Sequence, residues 1–237
     1  MRFTVPLTRG KLVRRYKRFL ADVELSGGEI VCAHCANPGS MLGLADPGIS
    51  VWLSKSDNPN RKLAWSLEIV EVDAGRGPAM VGINTGHPNA LVEEAIGSGR
   101  IPELDGYAGL RREVRYGKNS RIDIFLESDG RPPCYVEIKN VHLVREPGIA
   151  EFPDSVTVRG AKHLDELAEM VRQGHRAAMF YLVQRGDADT VRIARDIDPN
   201  YGAALDRARD AGVEVIAYGC SVTEDGVEIS RAVPFSG

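Results

Sequence analysis

Ser120-Arg121-Ile122-Asp123-Ile124-Phe125-Leu126 and Cys134-Tyr135-Val136-Glu137-Ile138-Lys139 decide the reading of this chain: two strand-like runs joined by a turn. Side chains on a strand alternate between faces, so Glu137 and Lys139 project to one side and Ile138 to the other. Asp123 is a lone acid among Ile122, Ile124 and Phe125. If the runs pair, two carboxylates and an ammonium gather on one face of a sheet whose other face is apolar. Burying such a cluster is costly unless its charges are paired or hold a cation. An acid followed on a neighbouring strand by acid-x-Lys is the set a metal-dependent phosphodiesterase needs. A surface ion-pair cluster at a sheet edge is the competing reading, because E-x-K is common by chance.

The chain around these runs has 237 residues, 43% of them hydrophobic, enough for one large domain or two smaller ones. No apolar run approaches the ~20 residues that span a bilayer, and the basic N-terminus lacks the apolar stretch of a secretory signal. No membrane partner is expected. Cys32, Cys35, Cys134 and Cys220 form no dense framework and fit a reducing cytoplasm. The formal net charge of −3 argues against wholesale coating of nucleic acid, but its distribution is uneven. Residues 1–20 hold seven Lys and Arg and no acid; residues 1–85 carry net +3 and residues 86–237 net −6. A basic end on an acidic protein is a footprint for an anionic ligand, or a solvated charged face.

Residues 1–85 read as short strands punctuated by turns. Arg18 to Leu25, Glu29 to His34, Ile49 to Leu53, Leu63 to Val72 and Ala79 to Asn84 alternate, separated by Gly27-Gly28, Pro47-Gly48 and Asp57-Asn58-Pro59-Asn60. An OB-type β-barrel is expected, the common small barrel that presents a basic strand face. Leu12, Val13, Tyr16, Phe19 and Leu20 also carry a helical period, so the opening segment stays open. From residue 86 to 237 the grammar is mixed α/β. A helix capped by Asn89 precedes strands at 111–116, 121–127 and 135–143; then come helix 157–173, strand 177–183, helix 199–211 and strand 213–218.

That order, with Asp123 and Glu137-x-Lys139 on adjacent strands, resembles the PD-(D/E)XK restriction-endonuclease-like fold. Whole phrases narrow the resemblance: Arg15-Tyr16-Lys17-Arg18-Phe19-Leu20-Ala21-Asp22-Val23, His34-Cys35-Ala36-Asn37-Pro38-Gly39-Ser40-Met41, Ser120-Arg121-Ile122-Asp123, and the run from Phe152 to Leu164. They are similar to the sugar fermentation stimulation protein A family and span nearly the whole chain. The resemblance implies an N-terminal OB-fold, a C-terminal PD-(D/E)XK domain, and DNA as a partner bound with little sequence preference. It implies a nuclease-type site more securely than cleavage itself. A non-catalytic DNA-binding regulator built on the same fold is the rival. A sugar-acting enzyme is a weaker one, since no Gly-rich phosphate loop is present. A second copy of the chain, as a homo-oligomer, is left open.

At the expected site, Asp123, Glu137 and the Ile138 carbonyl would hold Mg²⁺ or Mn²⁺, hard cations that favour oxygen ligands. Lys139 would orient water and neutralise transition-state charge. The resemblance adds an acid on the preceding helix, placed at Glu94, although helical position does not choose between Glu93 and Glu94. It also adds Gln184, a polar residue ending an apolar strand. Arg159, Lys162, His163 and Glu166 share the polar side of helix 157–173, and Arg121 shares the face of Asp123. In the first half, Arg14, Arg15, Lys17, Arg18, Arg61 and Lys62 are the expected phosphate contacts. Tyr16 is a candidate for base stacking, whereas core is the better fate for Trp52 and Trp65. Asn37-Pro38-Gly39-Ser40 reads as a turn before a phosphate nest. Cys32-Ala33-His34-Cys35 lacks a second ligand pair, so structural thiols are favoured over zinc.

Overall fold

The computed structural model describes residues 1–117 and 119–237. Its first part is strand after strand: β1 (Thr8–Tyr16), β2 (Leu20–Leu25), β3 (Ile30–Cys35), β4 (Ser50–Lys55), β5 (Trp65–Asp73) and β6 (Pro78–Gly82). The ambiguous opening segment is strand, because Leu12 is buried in the barrel while Lys11 and Val13 on either side are exposed. β1 pairs with β2 and β4, β2 with β3, and β4 with β5, all antiparallel; a parallel pairing of β3 with β5 closes the ring. This closed five-strand circuit has OB-type connectivity. Closure removes free edges, and Leu12, Val23, Ala33, Val51, Leu53 and Leu67 fill the inside. β6 continues the sheet beyond β5.

The remainder is α1 (Pro88–Gly97), a 3-10 turn (Pro102–Leu104), β7 (Gly109–Tyr116), β8 (Ser120–Glu127), β9 (Cys134–Val141), β10 (Leu143–Glu146), β11 (Ile149–Phe152), α2 (Val158–Arg172), β12 (Arg176–Val183), β13 (Thr190–Ile193), α3 (Pro199–Asp210), β14 (Glu214–Thr223), β15 (Gly226–Ala232) and β16 (Phe235–Ser236). The main sheet runs β15-β14-β12-β9-β8-β7, with β12 parallel to both β9 and β14. β12 is buried on both faces, as a central parallel strand must be. Met179, Tyr181 and Val183 pack with Leu164, Leu167 and Leu205 of α2 and α3; Ala178, Phe180 and Leu182 pack with Leu91 and Val92 of α1. Burying each large apolar side chain contributes about 1.5–3 kcal/mol, so helices on both faces lock the sheet. Among the described residues, no helix is long and apolar enough to cross a membrane. The fold is mixed α/β, an OB-type barrel followed by a restriction-endonuclease-like layer.

Three features depart from the sequence reading. The run 135–143 is two strands, because β10 turns away into a separate sheet, β10-β11-β13-β16, whose strands span four residues or fewer. Strands that short carry too little alternation to stand out. The first three residues leave the barrel: Arg2 bridges Gly226, and Met1 and Phe3 pack against the α1 side of the main sheet. Finally, Pro88 rather than Asn89 opens α1, and no side chain caps it. That frees the Asn89 amide for another task.

Candidate metal and nucleic-acid site

The β8–β9 ladder ends at the pair Ile124 and Val136, so the two strands fork just beyond it. Asp123 stands at the fork. Its Oδ2 accepts the Ile138 amide hydrogen at 2.7 Å, doing with a side chain what the backbone no longer does, and its Oδ1 accepts from Asn89 Nδ2 at 3.0 Å. Glu137 is 3% exposed. Its Oε1 accepts from Lys139 Nζ at 2.7 Å and meets His163 Nδ1, while its buried Oε2 has no partner among the described residues. His163 arrives from the first turns of α2, a helix capped by Thr157, whose hydroxyl accepts the Gly160 amide. On its other side His163 Nε2 lies 3.2 Å from Arg159 Nε and accepts its hydrogen, which leaves Nδ1–H to donate to Glu137.

The electrostatics match that geometry. Burial, then the charge of Glu137, push the Asp123 carboxyl up from 3.8 to about 6. Burial would raise Glu137 as well, but His163 and Lys139 outweigh it and hold that carboxyl below its ordinary value. Two acids thus share a low-dielectric spot with one oxygen unsatisfied. Asp123, Glu137 and the Ile138 carbonyl make a hard-oxygen set that suits Mg²⁺ or Mn²⁺ with waters completing the shell. Among the described residues, no group of three or more His, Cys, Asp or Glu side chains is spaced to cage a metal.

These residues line a cleft of about 500 Å³ whose opposite wall comes from the barrel, through Asn37, Pro38, Gly39 and Thr85. The Asn37–Ser40 segment is the expected turn: Asn37 Oδ1 accepts the Gly39 amide at 2.9 Å and Asn37 Nδ2 donates to the Ile83 carbonyl. Asp154 latches it from the far side, Oδ2 accepting from the Met41 amide and Ser40 hydroxyl, both at 3.1 Å. Burial opposes ionisation of Asp154. Nearby His142, 3.7 Å away, and the Met41 and Ser40 hydrogens more than offset it and keep its carboxyl well below the usual range. A Cβ on residue 39 would sit 2.6 Å from the Asp154 carboxylate, so any larger residue there would have to displace that carboxylate from the latch.

The structure brings Asp123, Glu137, Ile138, Lys139, Arg159 and His163 to one cleft. Gln184 stands behind it, its Nε2 donating to Asn140 Oδ1 at 2.8 Å. Glu94 is a correction. It faces away from the cleft and pairs with the Met1 amine at 2.9 Å, because Leu91, Val92 and Ala95 fix α1 with that side outward. Its neighbour Glu93 pairs with Arg112. Glu113 is a further acid lining the cleft beside Asp123, and the sequence reading missed it. It falls opposite Asp123 between the pairs Arg112–Ile124 and Val114–Ile122, holds a left-handed φ of 55°, and shares the Asn89 amide with Asp123 at 3.1 Å. Left-handed glutamate within a strand stores strain, a habit of functional sites.

The expected phosphate contacts divide. Arg15 is a second correction: its guanidinium donates to the carbonyls of Arg18, Asn37, Gly39 and Ser40, so it builds the turn rather than facing solvent. Arg14 is exposed but paired with Asp22 at 2.8 Å; Arg18 donates to the Pro38 carbonyl; Lys17 is exposed at the hairpin tip. Arg61 donates to Ser66 Oγ beside exposed Lys62. Arg121 lines a separate depression with Arg115, and Lys162 donates to Ser120 Oγ next to it. Trp52 is buried and Trp65 packs against the barrel core, as expected. Cys32 Sγ lies 3.6 Å from the Tyr16 hydroxyl and Cys35 Sγ contacts Met41 Sδ inside the barrel.

Known proteins place the chain. A family model described as "SfsA N-terminal OB domain" matches residues 13–83, and one described as "Sugar fermentation stimulation protein RE domain" matches residues 86–226. The sugar fermentation stimulation protein homolog of Azorhizobium caulinodans is 58% identical over 100% of both chains. That of Rhodospirillum centenum is 59% identical, also over 100% of both. The solved structure of Pyrococcus furiosus SfsA in complex with Ca²⁺ is similar at a TM-score of 0.88 and 26% identity, covering 100% of this chain and 98% of that one.

Proposed function

Since the chain belongs to the sugar fermentation stimulation protein A family, we propose that it is a DNA-binding protein of low sequence preference whose cleft hydrolyses phosphodiester bonds with Mg²⁺ or Mn²⁺. The observation that carries this reading is the buried Oε2 of Glu137 beside Asp123, which has no partner among the described residues. The Pyrococcus furiosus relative was solved in complex with Ca²⁺, which supports a divalent site in the same fold.

Asp123, Glu137 Oε2 and the Ile138 carbonyl would hold the cation. Bound there, it would polarise a phosphoryl oxygen and lower the pKa of a water. Everything else is done by the chain. His163 and Lys139 both fasten Glu137 Oε1, which leaves Oε2 for the ion. On substrate entry the Lys139 ammonium faces the scissile phosphate, orients the attacking water and offsets charge that builds on the phosphoryl oxygens. Arg159, next to His163, supplies a second cation to a flanking phosphate. Arg14, Lys17 and Arg18 on the barrel add contacts that raise affinity without reading sequence.

The test is incubation of purified protein with single- and double-stranded DNA and Mg²⁺ or Mn²⁺. Cleavage that Asp123→Ala abolishes is the expected result. DNA left intact by the wild type across metals and substrates would leave a binder on a nuclease-like fold.

A further inference from the structure

The outer face of the barrel carries rings where a solvated surface would carry chains. Directly paired residues on neighbouring strands share a face, so Tyr16, Leu20 and His34 form one row across β1, β2 and β3, and Arg14, Asp22 and Cys32 the next. Phe19, in the hairpin between β1 and β2, is 45% exposed, and its ring lies nearly parallel to His34, 15° apart with centroids 6.5 Å away. The Arg14 guanidinium covers the Tyr16 ring at 4.7 Å. Lys17 and Arg18 hold the hairpin with left-handed φ values of 49° and 66°, conformations that non-glycine residues adopt at a cost.

A single exposed phenylalanine needs no explanation. Phe19 is not single. It sits with two further rings and three cations, Arg14, Lys17 and Arg18, against one acid, Asp22. The patch is also joined to the cleft: Arg18 donates to the Pro38 carbonyl at 2.9 Å, and Pro38 and Gly39 form the wall opposite Asp123 and Glu137. Flat rings among cations complement a chain of bases and phosphates. In a duplex the base faces are already stacked on one another, so only unpaired bases can use such rings.

We propose that Phe19 and His34 are a stacking platform for single-stranded nucleic acid, from which the strand passes over Arg18 and Pro38 into the cleft. The path rests on the phosphodiesterase reading of the cleft, but the platform is measured without it. Binding of a fluorescein-labelled oligothymidylate of about 20 nucleotides, and of a duplex of equal length, is followed by anisotropy in EDTA at about 150 mM salt, where salt-screened phosphate contacts alone bind weakly. The wild type binds the single strand more tightly than the duplex. Phe19→Ala weakens the single strand about fivefold or more, the loss of one stacked base, and leaves the duplex within about twofold. Phe19→Trp retains single-strand binding, and added oligothymidylate quenches the introduced indole. Circular dichroism of each variant matches the wild type, since Phe19 is exposed. Equal weakening of both ligands, or unchanged single-strand affinity in Phe19→Ala, overturns the platform. Asp123→Ala still binds in EDTA, so a failed cleavage assay and a failed platform are separate results.

Discussion

Replacing Asp123 by asparagine should make the metal-free protein more stable, although it removes a residue on which the proposed hydrolysis depends. In the fold this carboxyl titrates near 6 instead of at 3.8, mainly through burial and secondly through Glu137. At 1.36 kcal/mol per tenfold change, the displacement is worth about 3 kcal/mol. The native state binds this proton more tightly than the unfolded chain does, so wild-type stability falls as pH rises from about 4 to about 6 and the penalty is constant above. Asparagine escapes that penalty but keeps only one acceptor. It can take the Ile138 amide hydrogen and must turn an NH₂ toward Asn89, at a cost of about 1.5 kcal/mol for one hydrogen bond to a charged group. The net gain is about 1–2 kcal/mol near pH 7.5 in EDTA. Urea unfolding from about pH 4.5 to 8 measures it, and the gap between variant and wild type should widen to about pH 6 and then level off. Mn²⁺ at a hundred times its Kd should add about 2.7 kcal/mol to the wild type alone and reverse the order. An asparagine variant less stable than wild type at every pH in EDTA, or a gap independent of pH, would refute the shared low-dielectric carboxylate pair.

Two further pairs of substitutions test the corrected placements. Arg15→Ala should lower stability by about 3 kcal/mol in urea, because several charged hydrogen bonds to the turn are lost, whereas Arg14→Ala, at an exposed pair, should scarcely change it; equal effects would return Arg15 to the surface. Glu113→Gln should weaken Mn²⁺ binding, read by electron paramagnetic resonance, about fivefold through loss of a neighbouring charge, and Glu94→Gln should leave it within twofold. The opposite ranking would restore the helix acid.

Asp123, Glu137 and Lys139 were legible in the sequence because local alternation and a short connection control their positions. The barrel was legible for the same reason, through turn residues at regular spacing. Glu113 was hidden because it counts only where the β7–β8 ladder breaks opposite Asp123, and no period encodes that break. Asn89 is not the cap because Pro88, suited to the first helical position, starts the helix ahead of it and leaves His87 at the cap. Glu94 rests on the family resemblance, while the orientation of α1 is set by Leu91, Val92 and Ala95 against a sheet assembled from distant segments. Asp154 reaches the turn at Ser40 across 114 positions, a separation no local pattern bridges. Basic residues misled in a different way: charge alone does not tell Arg15, tied to carbonyls, from Arg14 beside it.

The path of residues 1–3 gives the barrel a second tether. Phe3 donates its amide to the Asp225 carbonyl before β1 begins, and at the end of β6 the Gly82 amide donates to the Gln184 carbonyl, both near 3 Å. A unit moored fore and aft cannot pivot like a bead on a string, and the Trp52 indole hydrogen bond to Glu224 adds a third anchor. Its bearing relative to the acids is therefore fixed, as a jig fixes a workpiece. A fragment cut at residue 86 would also strip Met1 and Phe3 from the Leu91 patch, baring grease that invites clumping.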